Sequence, residues 1–150
     1  MFVHRITLLS VTMAALVATP ALAQKQYGPG VSDTEIKIGQ TIAYSGPASA
    51  YGTLGKVEAA YFKWLNETKG GINGRKITFV SRDDAYSPPK AVENVRSLVE
   101  GDEVALIFGV LGTPLNMAIR PYLNKQGVPQ LFVVFRWEVF LLPVSLRWNR

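Results

Sequence analysis

The sequence predicts an α/β fold in which a parallel sheet is sandwiched between helices, and three observations predict it. Strand-like and helix-like segments alternate from residue 35 to residue 134, a pattern that pairs strands in parallel through right-handed helical crossovers. Residues 104–108 (VALIF) form an apolar run with no polar break, as expected of a strand buried on both faces rather than one with a wet side. Glycine-rich stretches at 70–74 and 109–112 and the pair at 126–127 fall between these segments and punctuate them as turns.

Residues 24–33 (QKQYGPGVSD) are an irregular lead-in. Over residues 35–43, Ile36, Ile38, Gln40 and Ile42 alternate with Lys37, Gly39 and Thr41, which is strand periodicity. Residues 44–52 (YSGPASAYG) are small, polar and turn-rich, a loop at the strand's carboxyl end. A helix is expected from Thr53, with Leu54, Val57, Tyr61, Trp64 and Leu65 as its inward face and Lys56, Glu58, Lys63 and Glu67 elsewhere. The Gly70-Gly71-Ile72-Asn73-Gly74 stretch stops it. Residues 76–84 give a second strand with Ile77, Phe79 and Val80 as its apolar part. Ser87-Pro88-Pro89 opens a second helix through Ala91, Val92, Val95, Leu98 and Val99, with Ser87 or a neighbour as cap.

After Gly101-Asp102 comes the junction at 104–116 around which the chain is organised. The apolar strand ends at Gly109, Thr113 is read as the N-cap of a third helix, and Pro114 as its first residue. Leu115, Ala118, Ile119, Tyr122 and Leu123 then recur at helical spacing. Gln126-Gly127 ends that helix, and residues 129–134 are read as a fourth strand. In open α/β sheets small ligands bind beyond the carboxyl ends of the strands, where helix N-termini offer unpaired N–H groups. A carboxylate would suit the start of the helix at Thr113.

Composition removes several classes of function. The net charge of +5 comes from Lys and Arg scattered along the chain, which gives no support to nucleic-acid binding. The only histidine, His4, falls in a segment expected to be removed, which excludes a Ser-His-Asp mechanism. An exported hydrolase would need a nucleophile or metal cluster that the residues do not offer. Asp83 and Asp84 are adjacent on a strand, so their carboxylates point to opposite faces and are read as loop-fixing groups. No GxGxxG or GxxxxGK[ST] loop occurs, so no nucleotide and no cofactor is expected.

Residues 1–23 have a basic start, an apolar run at 6–18 and a Pro20-Ala21-Leu22-Ala23 end, the form of a secretory signal cleaved after Ala23. There is no cysteine, hence no disulfide, no thiolate metal site and no lipid-modified amino terminus. The expected destination is a bacterial periplasm.

Four features together resemble the substrate-binding proteins of branched-chain amino acid ABC transporters, the leucine/isoleucine/valine-binding family. They are 36–39 followed by Ser45-Gly46-Pro47 and Tyr51-Gly52; Gly70-Gly71-Ile72-Asn73-Gly74-Arg75; Asp83-Asp84 followed by Pro88 and Ala91-Val92-Glu93; and 104–113 with Ala118-Ile119 beyond. The resemblance covers residues 35–133. It implies a type I periplasmic-binding-protein-like clamshell, of which residues 24–134 are the first half of the N-terminal lobe. It implies a binding protein rather than an enzyme, with a branched-chain amino acid or related small amide or carboxylate as ligand and an inner-membrane ABC permease as partner. It places the Thr113 hydroxyl, with backbone N–H groups of Leu111, Gly112 and Thr113, on the ligand's carboxylate. Tyr51 would face the cleft and cover an aliphatic side chain, and Ser45 is a further candidate whose Ser-Gly-Pro context also shapes the turn. A ligand-sensing receptor or regulator on the same fold is the alternative.

After Val134 the resemblance stops. Residues 135–150 (FRWEVFLLPVSLRWNR) are read as a tail unrelated to the family, as a shifted reading frame or truncated gene would produce. Such a half lobe would leave a sheet edge and apolar faces uncovered, and a truncated product without binding activity is the corresponding expectation.

Overall fold

The computed structural model describes residues 26–134. The expected signal segment at 1–23 and the expected tail at 135–150 lie outside the described residues. Four parallel strands form one sheet in the order β2-β1-β3-β4, with β1 at Glu35–Ile42, β2 at Lys76–Asp83, β3 at Leu106–Phe108 and β4 at Gln130–Leu131. Between them run α1 (Gly52–Lys69), α2 (Pro88–Glu100) and α3 (Thr113–Gln126), with a 3-10 turn at Ser49–Tyr51 leading into α1. The α/β parallel sheet expected from the alternation is therefore present.

Right-handed crossovers decide which face each helix covers. The chain steps one way from β1 to β2 and the other way from β2 to β3 and β4, so among the described residues α1 covers one face while α2 and α3 share the other. The larger core lies under α2 and α3. Ala91, Val95 and Leu98 of α2 meet Leu115, Ile119 and Leu123 of α3, over Val104, Ile107 and Val110 from the third strand and its flanks. Eight of these nine side chains are Val, Leu or Ile with no more than 2% exposure, and each fully buried one contributes about 1.5–3 kcal/mol.

The opposite face corrects the reading of α1. Leu54, Val57, Tyr61 and Trp64 are 40–60% exposed; the buried residues of the helix are Gly52, Gly55 and Phe62. Phe62 packs with Ile38 and Ile77 and sets its ring 5.1 Å from Phe79 and 5.6 Å from Phe108, while Leu65 flanks the same cluster. The helix carries two apolar stripes, and tertiary packing selects the one that contains a glycine. A Cβ on Gly55 would lie 2.4 Å from the Tyr44 hydroxyl and 2.8 Å from Gln40 Oε1, so only glycine lets the helix settle this close to β1. Asn66 fixes the other flank by donating to Ile77 O and accepting from Ile77 N, both at 2.8 Å, which occupies backbone groups on the β2 edge.

Gln40 is fully buried in the middle of the sheet, and its polar atoms are satisfied. Its amide donates to the Glu58 carboxylate and, at 3.4 Å, to Gly109 O, and its carbonyl accepts from Ser81 Oγ at 2.9 Å. Burial pushes the Glu58 carboxyl up from its ordinary value, partly offset by the Gln40 bond. The strands are shorter than their apolar runs. Residues 129–134 pair as a strand only at Gln130–Leu131, because Phe132 turns to φ 53°; contact with β3's extension resumes in a bridge between Val134 and Leu111.

Candidate functional site

The order of strands reverses between β1 and β3, and loops leaving the carboxyl ends at such a point part to either side and open a crevice. An open cavity of about 630 Å³ lies there, within the ordinary range for small-ligand sites. The loop after β1 lines it with Pro47, Ala48 and Tyr51, the loop after β2 with Tyr86, and the turn into α3 with Leu111, Gly112, Thr113 and Pro114; Val134 closes the end.

Three of these residues were expected from the junction at 104–116, but its geometry differs. Gly112, not Thr113, is the N-cap, at φ 99° and ψ 130°, and no side chain caps the helix. Thr113 is its first residue, and its hydroxyl has no hydrogen-bond partner among the described residues. The expected trio of N–H groups is also changed. Gly112 N donates to Val134 O at 2.8 Å and is committed. The first-turn N–H groups of Thr113 and Leu115 have no backbone acceptor among the described residues, as the start of an α-helix requires; Pro114 has none to offer.

Asn116 holds this turn in place. It is fully buried, donates to Gly112 O at 2.7 Å and Val110 O at 3.1 Å, and accepts from the Gln130 amide. Its backbone N–H takes Gly112 O as well, at 3.1 Å. Leu111 is buried and Thr113 half-buried at the cavity wall.

Tyr51 is at the cavity as expected, 56% exposed. Ser45 is not. Its hydroxyl donates to Asp83 and its N–H donates to the same carboxylate at 3.1 Å, so its polar atoms are spent on the turn and it stays out of the lining. Tyr44 N and Ala85 N also donate to Asp83 Oδ1, each at 2.9 Å, and Lys90 lies 3.6 Å away. These bonds, the Ser45 hydroxyl foremost, hold the Asp83 carboxyl well below its ordinary value. Asp84, the residue after the end of β2, turns to other partners. It is fully buried and accepts from Thr41 Oγ1 and Tyr86 N, and burial pushes its carboxyl up. Both carboxylates therefore fix loops.

Tyr86 was not anticipated from the sequence. It adopts φ 60°, next to Ala85 at φ 50°, a left-handed conformation that non-glycine residues avoid. The Asp84 bond to its N–H, at 2.8 Å, holds it there. A Cβ on Gly112 would lie 2.7 Å from Tyr86 Cε2 and 2.9 Å from its hydroxyl, so the ring can occupy this place only because residue 112 is glycine. The one available signal was the pair of aspartates ahead of a proline, which marks a tight loop without saying which side chain it aims. Among the described residues no group of three or more His, Cys, Asp or Glu could hold a metal ion, and no helix is long and apolar enough to cross a membrane.

A parallel sheet in the order β2-β1-β3-β4 with helices on both faces and a cleft at its carboxyl rim is the architecture of a type I periplasmic-binding-protein-like lobe. The chain belongs to the periplasmic binding protein family, whose model matches residues 35–140. It is 31% identical over 112 residues to Leu/Ile/Val-binding protein homolog 7 of Brucella abortus, covering 73% of this chain and 27% of that protein. Among solved structures it is similar to the branched-chain amino acid transporter substrate binding protein LivJ of Streptococcus pneumoniae in complex with isoleucine, at 29% identity and TM-score 0.59, over 65% of this chain and 28% of that one. It is also similar to a fatty acid ABC transporter substrate-binding protein from Thermomonospora curvata, at 30% identity and TM-score 0.59, over 69% and 27%. The chain thus spans about a quarter of the length of the relatives it matches.

Proposed function

We propose that this chain supplies the amino-terminal half-site of a solute-binding protein that captures a small carboxylate with an apolar body, branched-chain amino acids among them, for an inner-membrane ABC permease. The observation that carries this reading is the cavity at the switch point of the sheet. The Thr113 hydroxyl and the first N–H groups of α3 form its polar end, and Tyr51, Tyr86, Pro47 and Leu111 its apolar walls. Helix N–H groups with the positive end of the dipole suit a carboxylate, and apolar walls suit the rest of the molecule. Isoleucine, bound in the similar LivJ structure, and fatty acid, for which the Thermomonospora curvata protein is named, share that combination.

The activity is binding, not catalysis. Ligand held between two lobes favours the closed state, because only there does it touch both. The expected compartment is the periplasm, reached through the signal segment at 1–23.

Titrating L-leucine, L-isoleucine, L-valine and isovalerate into the isotopically labelled chain, read by amide NMR shifts, tests this. Shifts are expected at Tyr51, Tyr86 and 111–115 and lost on Thr113→Ala. Shifts scattered over the surface, or none at all, refute it.

A further inference from the structure

The walls of the cleft are more specific than its polar end. Two aromatic side chains, Tyr51 from the loop after β1 and Tyr86 from the loop after β2, line the same cavity as the start of α3, with the rings of Pro47 and Pro114 beside them. Tyr51 is largely exposed, whereas Tyr86 is half-buried, and its body packs against the α2–α3 core. The Tyr86 backbone is also held in place. Its N–H is bound to Asp84, itself fully buried and bonded to Thr41. The hydroxyl edge of its ring occupies the space that a side chain at position 112 would need. The backbone that carries Tyr86 is held, and its ring stands against Gly112 on the wall where a ligand at the start of α3 would meet it.

We propose that Tyr86 determines specificity in this cleft, favouring a carboxylate with a flat aryl body over one with a branched aliphatic body. This rests on the reading of Thr113 as the carboxylate anchor. With the carboxylate at the helix start, the next atoms of the ligand lie beside Gly112, where the Tyr86 ring is. Aromatic rings gain from offset or edge-to-face contact beyond the area they bury, and the sp³ branch point of an isobutyl group cannot reproduce that contact. Tyr51 then covers the outer side of the same ring.

The test uses the full chain and four probes, sodium benzoate, phenylacetate, isovalerate and L-leucine, titrated by NMR or calorimetry. Benzoate and phenylacetate are expected to bind about three- to tenfold more tightly than isovalerate, the range that one aromatic pair supplies. Tyr86→Gly should bring the three within about twofold of one another, and glycine relieves the positive φ, which offsets part of the packing lost; circular dichroism checks that the variant is folded. Tyr86→Phe should keep the aryl preference, because the ring and not the hydroxyl carries it. Thr113→Ala should weaken every carboxylate alike. Isovalerate or L-leucine bound as tightly as benzoate, or an aryl preference unchanged in Tyr86→Gly, overturns the role of Tyr86 while Thr113-dependent binding leaves the cleft reading standing. If no probe binds, the cleft reading falls and this inference with it.

Discussion

Thr41 Oγ1 donates to Asp84 Oδ2 at 2.9 Å, and both residues have no exposed surface. The bond joins the end of the central strand to the loop that presents Tyr86, and Asn94 of α2 completes it by donating to Thr41 Oγ1 at 3.0 Å and Asp83 O at 2.9 Å. Asp84→Ala leaves the Tyr86 N–H and the Thr41–Asn94 pair short of an acceptor. Urea unfolding should show a loss of about 1–3 kcal/mol, the usual consequence of stranding buried polar groups. A variant as stable as the parent would mean that the loop does not depend on this carboxylate. Because burial raises the Asp84 carboxyl, the folded chain keeps its proton to higher pH than the unfolded chain does. Its ionisation therefore subtracts stability as pH rises above about 4, and Asp84→Asn should flatten that decline.

Asp83 has the opposite sign. Its folded value is depressed, first by the Ser45 hydroxyl, so its contribution is complete above the unfolded value of about 3.9 and disappears as pH falls below it. Ser45→Ala should move the acid-unfolding midpoint, followed by circular dichroism, to higher pH. An unchanged midpoint would show that the backbone donors of Tyr44, Ser45 and Ala85 suffice.

Phe62 and Trp64 provide a direct test of which stripe of α1 faces the sheet. Phe62 is 8% exposed among Phe79 and Phe108, and Trp64 is 48% exposed. Phe62→Ala should destabilise by about 3–5 kcal/mol, and Trp64→Ala by no more than about 1 kcal/mol, as surface changes do. Equal losses in thermal melts would place the wrong stripe inward.

Ala85 sits at φ 50°, where an L side chain is strained by about 1–2 kcal/mol. Glycine removes the strain but loosens the unfolded chain by part of that amount. Ala85→Gly should therefore raise stability by up to about 1 kcal/mol in a melt. A clear loss would show that the Cβ packs better than the backbone strains.

The sheet and its three helices were legible because periodicity reports local structure directly. Ile36, Ile38 and Ile42, or Ala91, Val95 and Leu98, leave few alternatives. On α1 periodicity pointed the wrong way, since Leu54, Val57, Tyr61 and Trp64 make the longer apolar stripe. What decides the packing is Gly55, through a close approach that only the folded partner strand reveals. The cap at Gly112 displaced Thr113 for a related reason. A residue that looks like a cap is chosen by propensity, but here the turn is held by the Asn116 side chain from within the helix and by Val134 from beyond its far end. The cleft was visible as a strand, glycine loop and helix. Tyr86 was not, because its place depends on a positive φ and on the glycine across from it.

The order β2-β1-β3-β4 also governs how this chain comes together in time. Among the described strands β1 is the first to be made and the one whose two neighbours both lie later in the sequence and are separated from it by helices. It has no partner until Asp83 has emerged on one side and Phe108 on the other. Pairings of such long separation form slowly, because the loops must close before the contacts reward it. A chain growing from its amino end thus leaves one edge of β1 unpaired until the third strand arrives.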